Sequence, residues 1–158
     1  MNPSSLKSVH LEEAGGTSFL KCEKDMALKT LAENSVFTPV HQNVAGPYDL
    51  TLSIHDGRLI MDIKGVDGTA LPTLILSIKP YSRLVRDYFI MIESYETMRK
   101  QSNACQLETV DMARRGLHNE GAELLVERLK EKVVIDLETA RRLFTLICIL
   151  HTQNSPLF

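Results

Sequence analysis

The segment from Tyr48 to Ile63 constrains the fold more than any other part of the chain. Tyr48, Leu50, Leu52 and Ile54 alternate with Asp49, Thr51 and Ser53, which is the period of a strand with one buried face. Asp56-Gly57 follows, and both positions tolerate the positive φ that a two-residue hairpin turn requires. Such a turn fixes the register. Ile54 must face Leu59, Leu52 must face Met61, and Leu50 must face Ile63, while Asp49 meets Lys64 on the opposite side. All the apolar residues of both strands then share one face without adjustment. Asp67-Gly68 predicts a second turn, setting Met61 opposite Leu74 and Leu59 opposite Leu76. The expected result is a three-stranded antiparallel meander over about residues 48–78. Ile60 and Ile75 would meet on its outer face, either as a small satellite contact or as part of a subunit interface. The first is the weightier reading, because single apolar side chains are ordinary on surfaces.

Around the meander the patterns are mostly helical. Residues 6–11 alternate weakly and suggest a short edge strand. Gly15-Gly16 and the stretch Thr38–Pro47 read as loops. Thr17 or Ser18 would cap a helix reaching about Asn34, with Leu20, Ala27, Leu28 and Leu31 on its apolar side. Pro80 suits the first turn of a helix to about Lys100. Its broad apolar face is Leu84, Val85, Tyr88, Phe89, Ile92 and Tyr95. Tyr81, Tyr88, Phe89 and Tyr95 are most simply core, although Tyr81 and Tyr95 could line a pocket mouth with their hydroxyls outward. A helix from about Cys105 to Lys130 follows, with Gly116 as a potential break, and Lys132–Ile135 suggests one more short strand. Asp136 looks like the cap of a last helix, Leu137 to about His151. That helix is apolar nearly all round from Leu143 to Leu150, so it should be the most buried one. The whole chain, 1–158, reads as a single α+β domain: an antiparallel meander packed by a helical C-terminal half, with one N-terminal helix.

Composition excludes several classes of function. A net charge of −2 removes the simplest argument for nucleic-acid binding. Cys22, Cys105 and Cys148 are odd in number and far apart, which predicts reduced thiols rather than a disulfide framework. The start of the chain, Asn2-Pro3-Ser4-Ser5, is unlike a signal peptide. The longest apolar run, Leu146–Leu150, falls far short of the roughly 20 residues that span a bilayer. A soluble, cytoplasmic protein without membrane association is the expectation. His10, His41, His55, His118 and His151 lack metal-ligand spacing, so no metal site is expected. Phosphate-cradling glycine loops and nucleophile motifs are absent too, and no cofactor is implied.

One cluster carries chemistry. On the 105–130 helix, Asp111, Arg114 and His118 share a face with Leu107, Val110, Leu117, Leu125 and Leu129. A carboxylate, a guanidinium and an imidazole on an apolar face must be paired or serve a ligand. In the functional reading, Arg114 and Arg115 bind an oxyanion, His118 acts as acid or base, and Glu120 or Asp111 orients the imidazole. Were the helix to break at Gly116, Asn119 would cap a new one and place His118 and Asn119 at an anion-binding N-terminus. Arg141, near the start of the last helix, could reach Asp111 or Glu120. With Arg142, four arginines from two helices could converge on a phosphate. The structural reading is the weightier: a satisfied network with Asp111 and Arg114 bridged one turn apart, and Arg141-Arg142 as a core-edge ion pair beside a solvated arginine.

Several stretches carry a resemblance. They are Glu33-Asn34-Ser35, Gly46-Pro47-Tyr48, Arg86-Asp87-Tyr88-Phe89, Asp111-Met112, Arg114–Gly121 and Thr139–Leu146. Together they make the chain similar to the bacterial uncharacterised protein family 0262, over nearly its whole length. The resemblance implies a bacterial intracellular protein and assigns no catalytic residues. The leading expectation is therefore a non-catalytic binding or assembly protein, with a homodimer, an unknown protein or an anionic small molecule as partner. The alternative is an enzyme acting on a phosphorylated or carboxylate-bearing small molecule. There Arg114, Arg115 and Arg141 would hold the anion, and His118 with Glu120 would move protons.

Overall fold

A computed structural model describes residues 3–12, 18–101 and 104–154, with the side chains of 18–20, 96, 98–101, 104–111 and 152–154 outside the description. In chain order the elements are β1 (Leu6–Leu11), α1 (Ser18–Glu33), β2 (Phe37–Pro39), β3 (Tyr48–His55), β4 (Arg58–Lys64) and β5 (Leu74–Ser77). Then come α2 (Ser82–Gln101), α3 (Ala104–Leu129), β6 (Val133–Ile135) and α4 (Leu137–Asn154). A single 3-10 turn, Lys79–Tyr81, carries Pro80 and leads into α2. Gly15, Gly16 and Thr17 lie outside the described residues, as do the side chains of Ser18, Leu20, Cys105, Leu107, Val110 and Asp111.

The hairpin forms in the register that its turn dictates. Asp56 and Gly57 have φ of 50° and 72°, both positive as a type I′ turn demands. Ile54 pairs with Leu59, Leu52 with Met61, Leu50 with Ile63, and Asp49 with Lys64. Leu50, Leu52, Ile54, Leu59, Met61 and Ile63 are all buried. The next pairing also follows expectation, with Met61 on Leu74, Ile60 on Ile75 and Leu59 on Leu76. Ile75 lies exposed on the outer face. The edge strand at 6–11 is present, but it runs parallel to β3 and extends the meander to the four-stranded order β1-β3-β4-β5.

The expected loop at Thr38–Pro47 needs correction. Its first residues belong to β2, which pairs antiparallel with β6 as a separate two-stranded sheet. Phe37 opposes Ile135, and Pro39 opposes Val133. A strand of three residues ending in proline carries no periodic signal, and its partner lies nearly a hundred positions away. Pro39 is tolerated because a two-stranded ribbon consists only of edges.

The helices cover the apolar face of the larger sheet. Leu143–Leu150 are buried without exception, and α4 packs against β3, α1 and α3. Its start is capped as expected, with Asp136 Oδ1 accepting from the Thr139 N–H at 2.9 Å. The two glycines of α3 differ. At Gly121 an added Cβ would lie 2.5–2.6 Å from the Phe144 ring, so the missing side chain is what lets α3 and α4 approach. At Gly116 nothing among the described residues lies within 4 Å of that position. The break considered at Gly116 does not occur: α3 is continuous, because one glycine costs a helix only about 1 kcal/mol relative to alanine. Asn119 is consequently a mid-helix residue, not a cap. Tyr81 is wholly buried rather than at a pocket mouth.

Candidate functional site

Where α3 crosses α4, a polar side chain is placed in the core layer. His118 is 9% exposed. Its ring stands 5.8 Å from that of Tyr88 and 6.2 Å, edge to face, from that of Phe144. Its Nε2 lies 3.1 Å from Thr145 Oγ1, and the Thr145 hydroxyl donates to the Arg141 carbonyl at 3.2 Å. A hydroxyl has one proton to give. With that proton on the carbonyl, the imidazole donates from Nε2; with it on Nε2, the imidazole accepts and carries its own proton on Nδ1. Burial disfavours the charged imidazolium, and Arg114, Arg142 and Arg141 add repulsion that Glu138 only partly offsets. Together they bring the pKa of His118 down to about 4, so the ring is neutral at pH 7.

Over this imidazole lies an open pocket of about 390 Å³ between α1, α3 and α4. Arg114 and Arg115 come from α3, and Arg141 and Arg142 from the second turn of α4. Arg114 Nη1 pairs with Glu23 Oε1 of α1 at 3.1 Å, and that glutamate side chain is only 15% exposed. Glu138 bridges the two α4 arginines, at 2.6 Å to Arg141 and 3.1 Å to Arg142. Arg141 Nε also donates to Asn119 Oδ1 at 2.8 Å. The Nε–H of Arg142 is buried without a hydrogen-bond partner among the described residues. Below the pocket, the buried Tyr88 hydroxyl likewise finds none. Burial, reinforced by Glu23, raises its pKa far above the usual phenol value.

Among the described residues lining the pocket, four guanidiniums face two carboxylates and a neutral imidazole. Four cationic side chains thus meet in a chain whose net charge is −2. Guanidinium groups present rigid forks of donors that fit phosphate and carboxylate oxygens. The arrangement is suited to holding an anion.

Arg114, Arg115, His118, Asn119 and Arg141 are thus brought together as the sequence suggested. Glu120 is not among them. It is ion-paired with Arg83 of α2 on the solvent side, so it does not orient the imidazole, and Arg141 does not reach it. The side chain of Asp111 lies outside the described residues. Sequence reasoning missed three members: Glu23, Glu138 and Thr145. Two of them had a signal. Glu138 precedes Arg141 and Arg142 by three and four positions, the spacing of helical ion pairs. Thr145 is the lone hydroxyl in the apolar run of α4. Glu23 had none, since it is 91 residues from Arg114.

A larger cleft, about 660 Å³, runs along β5 toward the end of α3. Leu71, Leu129 and Val133 give it an apolar floor. On its rim Lys130 is paired with Glu127 at 2.7 Å, and Arg128 donates to the Ser77 carbonyl at 2.7 Å. It gathers no comparable cluster of arginines. Among the described residues, no group of three or more His, Cys, Asp or Glu could hold a metal ion. No helix among them is long and apolar enough to cross a membrane.

Fold and site together define an α+β domain with an arginine-rich pocket where two of its helices cross. The chain belongs to the uncharacterised protein family UPF0262, whose model matches residues 4–153. It is similar to a UPF0262 protein of Mesorhizobium japonicum, 44% identical over 153 residues and covering 96% of this chain and 95% of that one. A UPF0262 protein of Erythrobacter litoralis is 49% identical over 135 residues, with 84% of each chain covered. One from Brucella canis is 45% identical over 151 residues, with 94% of each covered. No solved structure matches the chain.

Proposed function

We propose that this is a non-catalytic binding protein of the bacterial cytoplasm, holding an anionic small molecule in the pocket between α1, α3 and α4. The observation that carries the reading is the convergence of Arg114, Arg115, Arg141 and Arg142 on one open pocket. General acid–base catalysis is favoured by a group exchanging protons near neutral pH. His118, with its pKa near 4, does not meet that need, and Glu120 is engaged with Arg83 away from the pocket. The cytoplasmic assignment draws support from the bacterial relatives and from three cysteines too few and too scattered for a disulfide framework.

A ligand of the native state raises the melting point in proportion to its concentration over Kd. Inorganic phosphate and citrate should each raise the Tm of the full chain at constant ionic strength, whereas choline should not. Arg115→Gln, a change at an exposed position, should reduce the rise by weakening a charge-assisted contact of about 1.5–3 kcal/mol. Equal shifts with all three additives, or shifts unaffected by Arg115→Gln, would contradict the proposal.

A further inference from the structure

We infer that His118 contacts the ligand and that its tautomer follows the occupant of the pocket, Nε2–H in the free protein and Nδ1–H once an oxyanion is bound. The inference rests on the anion-binding reading above. Its basis is the chain formed by the Arg141 carbonyl, the Thr145 hydroxyl and His118 Nε2. Thr145 Oγ1 lies 3.2 Å from that carbonyl and 3.1 Å from Nε2. A turn of the hydroxyl carries its one proton from the first acceptor to the second. In the first setting Nε2–H donates to Oγ1; in the second the hydroxyl donates to Nε2. Both keep the imidazole neutral and its buried nitrogen satisfied. The carbonyl does not depend on the hydroxyl, because inside α4 it also accepts from the N–H four residues on.

The two settings differ in what they present to the pocket. His118 lines it, and its Nε2 is turned to the buried Thr145. Nδ1 has no hydrogen-bond partner among the described residues, so it is the ring nitrogen left for a ligand. It offers a lone pair in the first setting and an N–H donor in the second. The occupant decides between them. In the free protein Arg114, Arg142 and Arg141 act on the ring, and Glu138 offsets them only in part. Cations favour a lone pair facing them. An oxyanion seated among the same guanidiniums reverses the field at Nδ1 and accepts from Nδ1–H. The Nε2 proton then passes to solvent, solvent supplies a proton to Nδ1, and the Thr145 hydroxyl turns to the Nε2 lone pair. The ring gains a donor without a buried charge. A ligand hydroxyl donating to Nδ1 would leave the first setting in place. The oxygen that moves the tautomer is therefore an ionised one that can only accept.

The test is nitrogen NMR of the full chain with labelled histidine at pH 7.5, before and after inorganic phosphate is added to saturation. His118 Nδ1 should move from the range of an unprotonated ring nitrogen to that of a protonated one, and Nε2 should move the opposite way. In Thr145→Val no hydroxyl is left to accept from Nε2–H. There the proton should sit on Nδ1 before phosphate is added and stay there afterwards. His118→Phe keeps an aromatic ring beside Tyr88 and Phe144 but has no donor. It should bind phosphate about tenfold more weakly, which is about 1.4 kcal/mol. A thermal shift with phosphate but the same tautomer in both states, or undiminished affinity in His118→Phe, would overturn this inference and leave the anion-binding reading standing. Neither a thermal shift nor a change at any ring nitrogen with millimolar phosphate would overturn both.

Discussion

The β3–β4–β5 meander and the α3–α4 crossing bury side chains under opposite rules. In the meander the inward positions are apolar, the aromatic Tyr48 among them, and the charged pairing of Asp49 with Lys64 lies on the outer face. Position and polarity agree there, so burial alone explains each residue. At the crossing, His118 and Thr145 are buried polar residues, with four arginines above them. The contrast separates a region in which apolar burial accounts for each inward residue from the region on which the proposed binding site rests.

The largest expected effect falls on the purely structural side. Leu52→Ala removes a fully buried side chain and should cost about 2–5 kcal/mol in urea denaturation. The surviving folded fraction should still bind anions with unchanged affinity. Loss of affinity in the folded fraction would break the separation of the two regions.

His118 makes the next largest contribution, and it depends on pH. In the unfolded chain an imidazole titrates near 6.5, and in the folded protein this one titrates at about 4. Between those values the unfolded state holds the proton and the folded state does not, so stability rises with pH there. From about pH 7.5 down to 4 the loss amounts to about 3 kcal/mol from this group, at 1.36 kcal/mol per unit. His118→Gln lacks this contribution. Its unfolding free energy should vary less with pH than that of the wild type by about that amount. Parallel profiles would show that the imidazole is not held neutral.

The two glycines of α3 offer a smaller and sharper comparison. Gly121→Ala presses a methyl into the buried Phe144 ring. Overpacking of this kind costs about 1–3 kcal/mol, more than the roughly 1 kcal/mol that alanine returns to a helix. Gly116→Ala meets nothing among the described residues within 4 Å, so it should stabilise by about 0.5–1 kcal/mol. Thermal melts of the two variants should move in opposite directions. The smallest effect is expected at Glu120→Gln, which breaks only a solvent-exposed ion pair with Arg83. It should leave both anion affinity and the Tm within error, and a marked loss of binding would return Glu120 to the site.

Where the chain makes its own local rules, the sequence was readable. Asp56-Gly57 sets the hairpin register, and Asp136 stops one element and starts another. The parallel pairing of β1 was not readable, since its partner β3 is joined through α1 and β2 and no local turn selects direction. Asp111, Arg114 and His118 flag a polar face by spacing alone, yet spacing does not say which neighbour answers it. Arg114 turned out to be answered by α1 through Glu23, a choice made only when the helices pack. Arg142 looked like a solvated arginine and is instead tied to Glu138 with one donor buried.

The most direct test of a neutral imidazole beneath a cationic pocket is to follow the ring resonances of His118 by NMR at pH 7.0 while inorganic phosphate is added. The account predicts that they shift to saturation while the ring remains neutral. Resonances that do not respond at millimolar ligand, or that move to imidazolium values, would contradict it.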